Sequence, residues 1–351
     1  MANEDAQRTV LVIHPGALGD VLLALPAIRR VRAAFPGRAC GLMAGEPVGR
    51  LLSACREVDR LFPLEQGSLA GLLAGAEAID WHLRSWLDRA DLVIGWMKDP
   101  EGSLAKTIGA LGANRTVIRS PFDSDCTSLH QTDRYLEIVG LGLCGERSAR
   151  PLQLSEAILH EAWASLAEAG IRREQLLVGI HPGSGSPHKC CTPGVLVKLI
   201  EQLRAKGTVP IVLAGPADTD QLRAILQSSP HPLTVFDRLS LNAMAGLLAH
   251  MGLYVGHDSG LTHMAACLGV ETIALFGPTD PSRWAPRGSH VEVLSGAPCT
   301  CGNWPQVQAC SEKPCLPRQV EQVVERCLKK MQDRKKRLPG IRRHGTLPCH
   351  V

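Results

Sequence analysis

Short apolar runs alternate with amphipathic stretches along most of this chain, and this alternation constrains the fold more than any other feature. Residues 9–14 are apolar enough to form a buried strand, and residues 20–35 then carry apolar side chains at helical spacing. Further strands are predicted at residues 39–43 and 91–96, each followed by a helical pattern. Because strands that alternate with helices form parallel sheets, this order predicts an α/β fold with doubly wound parallel sheets.

The same alternation restarts after a stretch that contains Gly, Ser and Pro, at residues 141–154. The tetrapeptide Ile-His-Pro-Gly ends an apolar run at residues 13–16 and again at residues 180–183, which indicates two similar halves. Ligands of such sheets bind at the carboxyl ends of the strands, so both loops are expected at one cleft. We predict an N-terminal Rossmann-like domain over residues 1–155, a C-terminal one over residues 156–328, and a mobile basic tail over residues 329–351.

The positive charge of the chain is concentrated in that tail. Residues 329–351 hold eight Lys or Arg and one Asp, a tail of +7 in a total of +4, which leaves the remaining residues at −3. A nucleic-acid-binding surface on the folded body is therefore not expected. The tail is interpreted either as a solvated end or as a weak anchor to anionic lipid.

No apolar run approaches the roughly 18 residues of a membrane-spanning helix. The N-terminal sequence MANEDAQRTV lacks the apolar core of a secretory signal peptide. We therefore expect a cytoplasmic protein whose 13 cysteines are mostly reduced thiols. Cys299, Cys301, Cys310 and Cys315 cluster, but their spacing is not a standard zinc pattern, so we predict a Cys-rich loop without metal and leave metal binding open.

Small residues follow the first predicted strand in the segment HPGALGD, residues 14–20. Gly16, Ala17 and Gly19 let the backbone pass close to a ligand at the start of a helix. Asp20 lies at that helix start, where it is either an N-cap or, if it faces the cleft, a general base.

A second loop, HPGSGSPHK at residues 181–189, has the character of a phosphate site. Ser184 supplies a hydroxyl donor and Lys189 a point charge, although the spacing of a P-loop is absent. The alternative interpretation is a solvated turn with an exposed lysine.

A third loop begins the segment GHDSGLTHMAACLG, residues 256–269, where either Asp258 or Ser259 caps a predicted helix. The first amides of this helix would point at an anion, and its dipole would favour negative charge there. These amides belong to Gly260, Leu261 and Thr262, and the side chains of Thr262 and His263 are further donors. His263 is equally consistent with a surface position on the helix.

Two Asp-x-Asp triplets are candidates for a divalent metal, which such triplets hold in some nucleotide-sugar enzymes. Asp218 and Asp220 open a predicted helix, where capping explains them. Asp123 and Asp125 lie in a loop that contains proline. We predict a metal role for neither triplet.

Together the three loops resemble family 9 of the glycosyltransferases, the bacterial heptosyltransferases. The similarity covers most of residues 8–330 and rests on residues 10–36, 181–189, 211–218 and 255–281. It implies a GT-B fold, in which two Rossmann-like domains with parallel sheets face a central cleft. It also implies inverting transfer of a heptose from an ADP-activated donor, with the ADP-sugar as a substrate and no obligatory cofactor or metal. The implied acceptor is a lipid-linked glycan of the lipopolysaccharide core at the cytoplasmic face of the inner membrane.

The resemblance also implies roles for individual residues. Asp20 matches the catalytic base of the family, and Lys189 matches the lysine that contacts the donor diphosphate. The donor loop matches residues 258–263, and the loop before Asp20 would lie on the acceptor side. Three further basic residues are either contacts for an anionic acceptor or simply solvated: Lys98, Arg119 and Arg134.

This sequence departs from the family pattern at positions that would border the cleft. Cys190 and Cys191 follow Lys189 where a basic residue and Trp are common, and Gly95-Trp96-Met97-Lys98 replaces an Asp-Leu-Gln motif. These departures bear on which sugar and acceptor are used more than on whether the fold binds a nucleotide sugar. Two alternatives stay open: transfer from another nucleotide sugar, and a non-catalytic protein that binds one. A nucleotide-dependent oxidoreductase is disfavoured because G-x-G-x-x-G does not follow the first strand.

Overall fold

The computed structural model describes residues 7–75, 79–122, 129–141 and 150–337. Contacts within the chain divide it into two compact units, Met1–Gln153 and Leu154–Val351. Each unit contains one sheet in which every strand pair is parallel, so the predicted pair of parallel-sheet α/β domains is confirmed.

The N-terminal domain has a five-stranded sheet with the order β3-β2-β1-β4-β5. Its strands are β1 (Thr9–Ile13), β2 (Ala39–Ala44), β3 (Arg60–Pro63), β4 (Ala90–Gly95) and β5 (Thr116–Ile118). Its helices are α1 (Leu18–Ala34), α2 (Glu46–Ala54), α3 (Ser68–Ala74), α4 (Trp81–Asp88), α5 (Ser103–Ala110) and α6 (Gln131–Val139). All five residues of the central strand β1 are buried, because parallel sheets of this kind are covered on both faces.

The C-terminal domain has a six-stranded sheet with the order β11-β10-β9-β6-β7-β8. Its strands are β6 (Leu177–His181), β7 (Val209–Ala214), β8 (Thr234–Asp237), β9 (Leu253–His257), β10 (Thr272–Phe276) and β11 (Val291–Ser295). Its helices are α7 (Glu156–Glu168), α8 (Pro193–Ala205), α9 (Thr219–Ser228), α10 (Leu241–Ala249), α11 (Gly260–Cys267), α12 (Pro281–Trp284), α13 (Trp304–Ala309) and α14 (Val320–Arg337).

Strand order reverses next to the first strand of each sheet. In the N-terminal domain the chain runs from β1 to β2 and β3 on one side, then crosses to β4 on the other. In the C-terminal domain the same crossover leads to β9, and His181 at the end of β6 pairs with Gly256 of β9. Ligands of open α/β sheets bind at such switch points, outside the carboxyl ends of the strands.

A buried carboxylate fastens the end of the N-terminal domain to α1. Glu57 has no exposed side-chain surface and accepts hydrogen bonds from Arg29 at 2.7 Å and 3.0 Å. Arg150 donates to the same carboxylate at 3.1 Å. Because a buried charge needs a partner, these two guanidinium groups are part of the stability of this domain.

The last helix, α14, belongs to the core of the C-terminal domain. It packs against α8 with a buried apolar face. The residues of that face are Val320, Val323, Val324, Cys327 and Met331. Further along, Lys330 is buried and donates to Glu271 at 2.9 Å and to the carbonyl of His290 at 2.8 Å.

These contacts correct the predicted boundary of the basic tail. A mobile tail from residue 329 was expected, but residues 329–337 continue α14 because its apolar spacing extends to Met331. The remainder of the predicted tail lies outside the described residues. In the described part of the chain, no helix is both long and apolar enough to cross a bilayer.

Candidate functional site

The loop after β1 brings small residues against His14 and Asp20. The backbone N–H of Gly16 donates to Nδ1 of His14 at 3.1 Å. A Cβ atom at Gly16 would lie 2.6 Å from Cε1 of His14 and 3.0 Å from Cβ of Asp20, so only glycine fits there. Helix α1 begins at Leu18 with Ala17 at its N-cap. Asp20 is therefore a half-buried residue of the first turn, and its interpretation as the N-cap is wrong.

Three aromatic rings form a buried cluster at this end of β1. His14 lies 5.5 Å from the ring of Trp96 and 5.3 Å from that of Tyr135, between centroids. Burial lowers the pKa of His14 to about 4, so its ring is neutral near pH 7. Burial, together with the negative charge of Asp20, raises the pKa of Tyr135. Asp20 is thus the charged group beside an uncharged, aromatic part of the site.

In the C-terminal domain, the loops after β6 and β9 meet at Asp258. The hydroxyl of Ser184 donates to the backbone carbonyl of Asp258 at 2.5 Å. Nζ of Lys189 lies 2.8 Å from Oδ2 of the Asp258 carboxylate, and the hydroxyl of Thr279 donates to the same oxygen at 2.8 Å. The structure therefore brings together the predicted residues of two loops, and it adds Thr279, which follows β10.

A series of buried, hydrogen-bonded side chains connects the residues beneath these loops. Oδ2 of Asp218 lies 2.9 Å from Nε2 of His181, whose Nδ1 lies 3.2 Å from the hydroxyl of Ser259. The hydroxyl of Ser259 is 3.1 Å from that of Thr262, which is in turn 3.1 Å from the hydroxyl of Tyr254. Every member is buried, and networks of this kind are rigid when all of their groups are paired. We call these five residues the buried network.

One carboxylate and one imidazole in this region, those of Asp218 and His257, have shifted pKa values. Burial opposes ionisation of Asp218, but its hydrogen bonds with His181 and the N–H of Gly215 hold the pKa of the carboxyl below its ordinary value. Burial lowers the pKa of His257 to about 3. Nε2 of His257 accepts a hydrogen bond from the backbone N–H of Cys191 at 2.9 Å, so the neutral ring holds the start of the segment that precedes α8.

The start of α11 follows the prediction in part. Ser259, one of the two predicted caps, accepts a hydrogen bond from the N–H of Thr262 at 3.4 Å. The first N–H groups of the helix, those of Gly260 and Leu261, have no intrahelical acceptor, as in any helix. The hydroxyl of Thr262, predicted as a donor to an anion, instead donates to the backbone carbonyl of His257.

His263 is buried rather than on the surface of α11, so that alternative is wrong. Its Nε2 lies 3.9 Å from Oδ1 of Asp258, close to the carboxylate that pairs with Lys189. Among the other predicted basic contacts, Arg134 is largely buried and donates to Glu137 at 2.7 Å, whereas Lys98 and Arg119 are exposed.

The two Asp-x-Asp triplets have different outcomes. Asp218 does accept the N–H of Gly215, at 2.6 Å, but its contact with His181 makes it part of the buried network as well. Asp220 is exposed and pairs with Arg223 at 3.1 Å. Asp123 and Asp125 lie outside the described residues.

A cavity of about 410 Å³ opens beside the network. It lies at the ends of β7 and β8, where Gly215, Asp237 and Arg238 line it. Arg238 adopts a left-handed backbone with φ of 52°, which is uncommon for a residue with a side chain. The volume is in the range of small-ligand pockets, and its lining includes a carboxylate and a guanidinium group.

Comparisons with known proteins bear on the family and the fold of the chain. The family model "Glycosyltransferase family 9 (heptosyltransferase)" matches residues 133–315, more than half of the chain. Lipopolysaccharide heptosyltransferase 1 of Pseudomonas aeruginosa is 27% identical over 329 residues, which cover 89% of each chain. A family 9 glycosyltransferase structure from Veillonella parvula superposes with a TM-score of 0.76 at 18% identity, over 95% of this chain and 99% of that one. An Escherichia coli heptosyltransferase solved with ADP gives a TM-score of 0.63 at 18% identity, over 92% and 99%. The predicted GT-B type of fold is confirmed.

Proposed function

As the chain is a glycosyltransferase that belongs to family 9, we propose that it transfers a heptose from ADP-heptose to a lipopolysaccharide core or related glycan, with inversion at the anomeric carbon. The observation that carries this proposal is the meeting of Ser184, Lys189 and Asp258 at the ends of β6 and β9. Small donors, one cation and a helix start are the groups that suit a diphosphate.

In this proposal the C-terminal domain holds the donor. Lys189 and the first N–H groups of α11, at Gly260 and Leu261, stabilise the negative charge that develops on the departing diphosphate. The cavity at Gly215, Asp237 and Arg238 accepts the nucleoside. The structure of an E. coli relative solved with ADP supports an adenine nucleotide.

Asp20 is the proposed general base. It takes the proton of the acceptor hydroxyl as that oxygen attacks the anomeric carbon, while the bond from this carbon to the diphosphate oxygen breaks. A position in the first turn of α1 stabilises the ionised carboxylate through the helix dipole, and the ionised form is the one that can act as a base. The small residues before it, Gly16, Ala17 and Gly19, leave room for the acceptor.

The proposal includes no metal or cofactor for the transfer itself. The acceptor is a lipid-linked glycan, which places the enzyme in the cytoplasm at the inner face of the membrane.

Two variants test the assignment separately. Asp20→Asn should retain ADP affinity measured by calorimetry but lose turnover of ADP-heptose with a core acceptor by about 10²- to 10⁴-fold. Lys189→Met should instead weaken ADP binding, and the exposed Lys206→Met serves as its matched control. Full turnover in Asp20→Asn would refute the assignment of Asp20 as the base. Unchanged ADP affinity in Lys189→Met would refute the assignment of Lys189 to the donor site.

A further inference from the structure

The segment between β11 and α14, residues 296–319, packs against the C-terminal domain but has little regular structure. Its one helix, α13, has six residues. Even so, Cys315 and Leu316 are buried, and the N–H of Gly296 donates to the carbonyl of Cys315 at 2.7 Å. Segments of this length with so little regular structure are uncommon in compact domains and usually serve a function.

Four thiols converge within this segment. The sulfur atoms of Cys299, Cys301 and Cys310 all lie within 4.8 Å of one another, and those of Cys299 and Cys301 are 3.0 Å apart. Cys315 lies beside Cys299 but is not one of the three cysteines whose sulfur atoms all lie within 4.8 Å of one another. Three sulfur atoms are thus clustered and a fourth thiol lies beside them, although the spacing of these residues along the chain gave no standard pattern.

We propose that Cys299, Cys301, Cys310 and Cys315 bind one Zn²⁺ in a closed, structural site. Zinc–sulfur bonds of about 2.3 Å place the sulfur atoms of a tetrahedron about 3.8 Å apart. The sulfur atoms of Cys299, Cys301 and Cys310 already lie within 4.8 Å of one another, and Cys315 would turn toward them to supply the fourth ligand. A set of four thiolates selects zinc or iron and leaves no position for water, which makes the site structural rather than catalytic. Binding displaces the thiol protons to solvent as each sulfur becomes a thiolate.

The site would also brace the segment that carries Lys189. Lys313 lies between Cys310 and Cys315 in the chain, and its backbone is left-handed, with φ of 45°. Its Nζ donates to the backbone carbonyls of Pro187 at 2.8 Å and Cys190 at 3.3 Å, on either side of Lys189. A metal that fixes the cysteines therefore fixes Lys313, and through it the Lys189 segment.

Metal content is the first measurement. The full chain, purified without chelators, should contain about one zinc ion per chain by elemental mass spectrometry. Cys310→Ser should lose the ion, whereas the matched control Cys267→Ser, a half-buried cysteine of α11, should retain it. If the chain instead contains one iron ion that Cys310→Ser loses, the site is supported and its metal is iron rather than zinc. A chain without metal, even after incubation with Zn²⁺ under reducing conditions, would overturn the proposal.

Hydrogen exchange tests the bracing independently of any nucleotide. Lys313→Met with the metal retained should speed exchange in residues 187–191 by roughly tenfold, because both carbonyl contacts are lost. Removal of the metal should also speed this exchange, because Lys313 is then held less firmly. Unchanged exchange in both samples would refute the bracing role. Intact mass under non-reducing conditions separates a further case: cysteines paired as disulfides, with the mass deficit of lost hydrogens, would overturn the metal site.

Discussion

Each domain should lose stability in mild acid because of one buried histidine, His14 in the first and His257 in the second. Burial lowers their pKa values to about 4 and about 3, against 6.5 in an unfolded chain. As the pH falls below 6.5, the unfolded state binds a proton that the folded state does not, so the free energy of unfolding falls. Between about pH 7.5 and pH 5 this linkage amounts to about 2 kcal/mol for each histidine.

Two substitutions isolate the effect while keeping the local hydrogen bond. His14→Asn retains an acceptor near Nδ1 for the N–H of Gly16, and His257→Gln retains one near Nε2 for the N–H of Cys191. Urea unfolding at both pH values, followed by hydrogen exchange in β1 and β9, reports on each domain separately.

Each variant should reduce the acid-induced loss by about 2 kcal/mol in its own domain and leave the other domain unchanged. Wild-type loss in both domains of both variants would refute the reasoning, because the protons would then bind to other groups. Acid stability restored in the domain that does not carry the substitution would also contradict the assignment of the proton to that histidine.

Two further substitutions probe the packing beneath each part of the site. In Gly183→Ala the new Cβ would lie 1.6 Å from Oδ1 of Asp218, so the buried network must shift. We therefore expect the ADP affinity measured by calorimetry to fall by about tenfold or more. The control Gly185→Ala has no atom within 4 Å of its new Cβ and should bind ADP as the wild type does. Glu57→Ala leaves the buried guanidinium of Arg29 without a carboxylate and should cost the N-terminal domain roughly 3–5 kcal/mol in urea unfolding. A loss below about 1 kcal/mol would contradict this expectation.

The central strands could be predicted from the sequence, but the edge strands could not. Strands such as β1, β6 and β10 are buried at every position, so their apolar runs are unmistakable. The edge strands β3, β5, β8 and β11 are short or only half-buried and carry mixed residues. Their positions depend on pairing with a neighbour, which a local pattern does not record.

The loops of the site could be predicted, but their internal pairing could not. Gly and Ser at strand ends indicated the loops, whereas the contact of His181 with Asp218 joins residues 37 positions apart. Asp218 had a sufficient local explanation as a cap, so its second contact was missed. The repeated Ile-His-Pro-Gly was the available signal for His181 and His14.

For Asp20 the local rule was misleading, since the helix begins two residues earlier than Asp20 itself and Ala17 takes the cap position. Trp96 was interpreted as a departure that bears mainly on which sugar and acceptor are used, yet it packs against His14 and Tyr135. Lys313 gave no signal, because its contacts are backbone carbonyls whose positions depend on the folded chain.

The place of α14 in the second core has a consequence for synthesis on the ribosome. The first domain closes its contacts by Gln153, so it can fold while the rest of the chain is still being made. The second core extends from Val178 to Met331, so its sheet remains incompletely covered until α14 emerges. At roughly 5–20 residues per second, the stretch after Gln153 takes about 10 to 40 s, during which newly made apolar strands are exposed to chaperones and to one another.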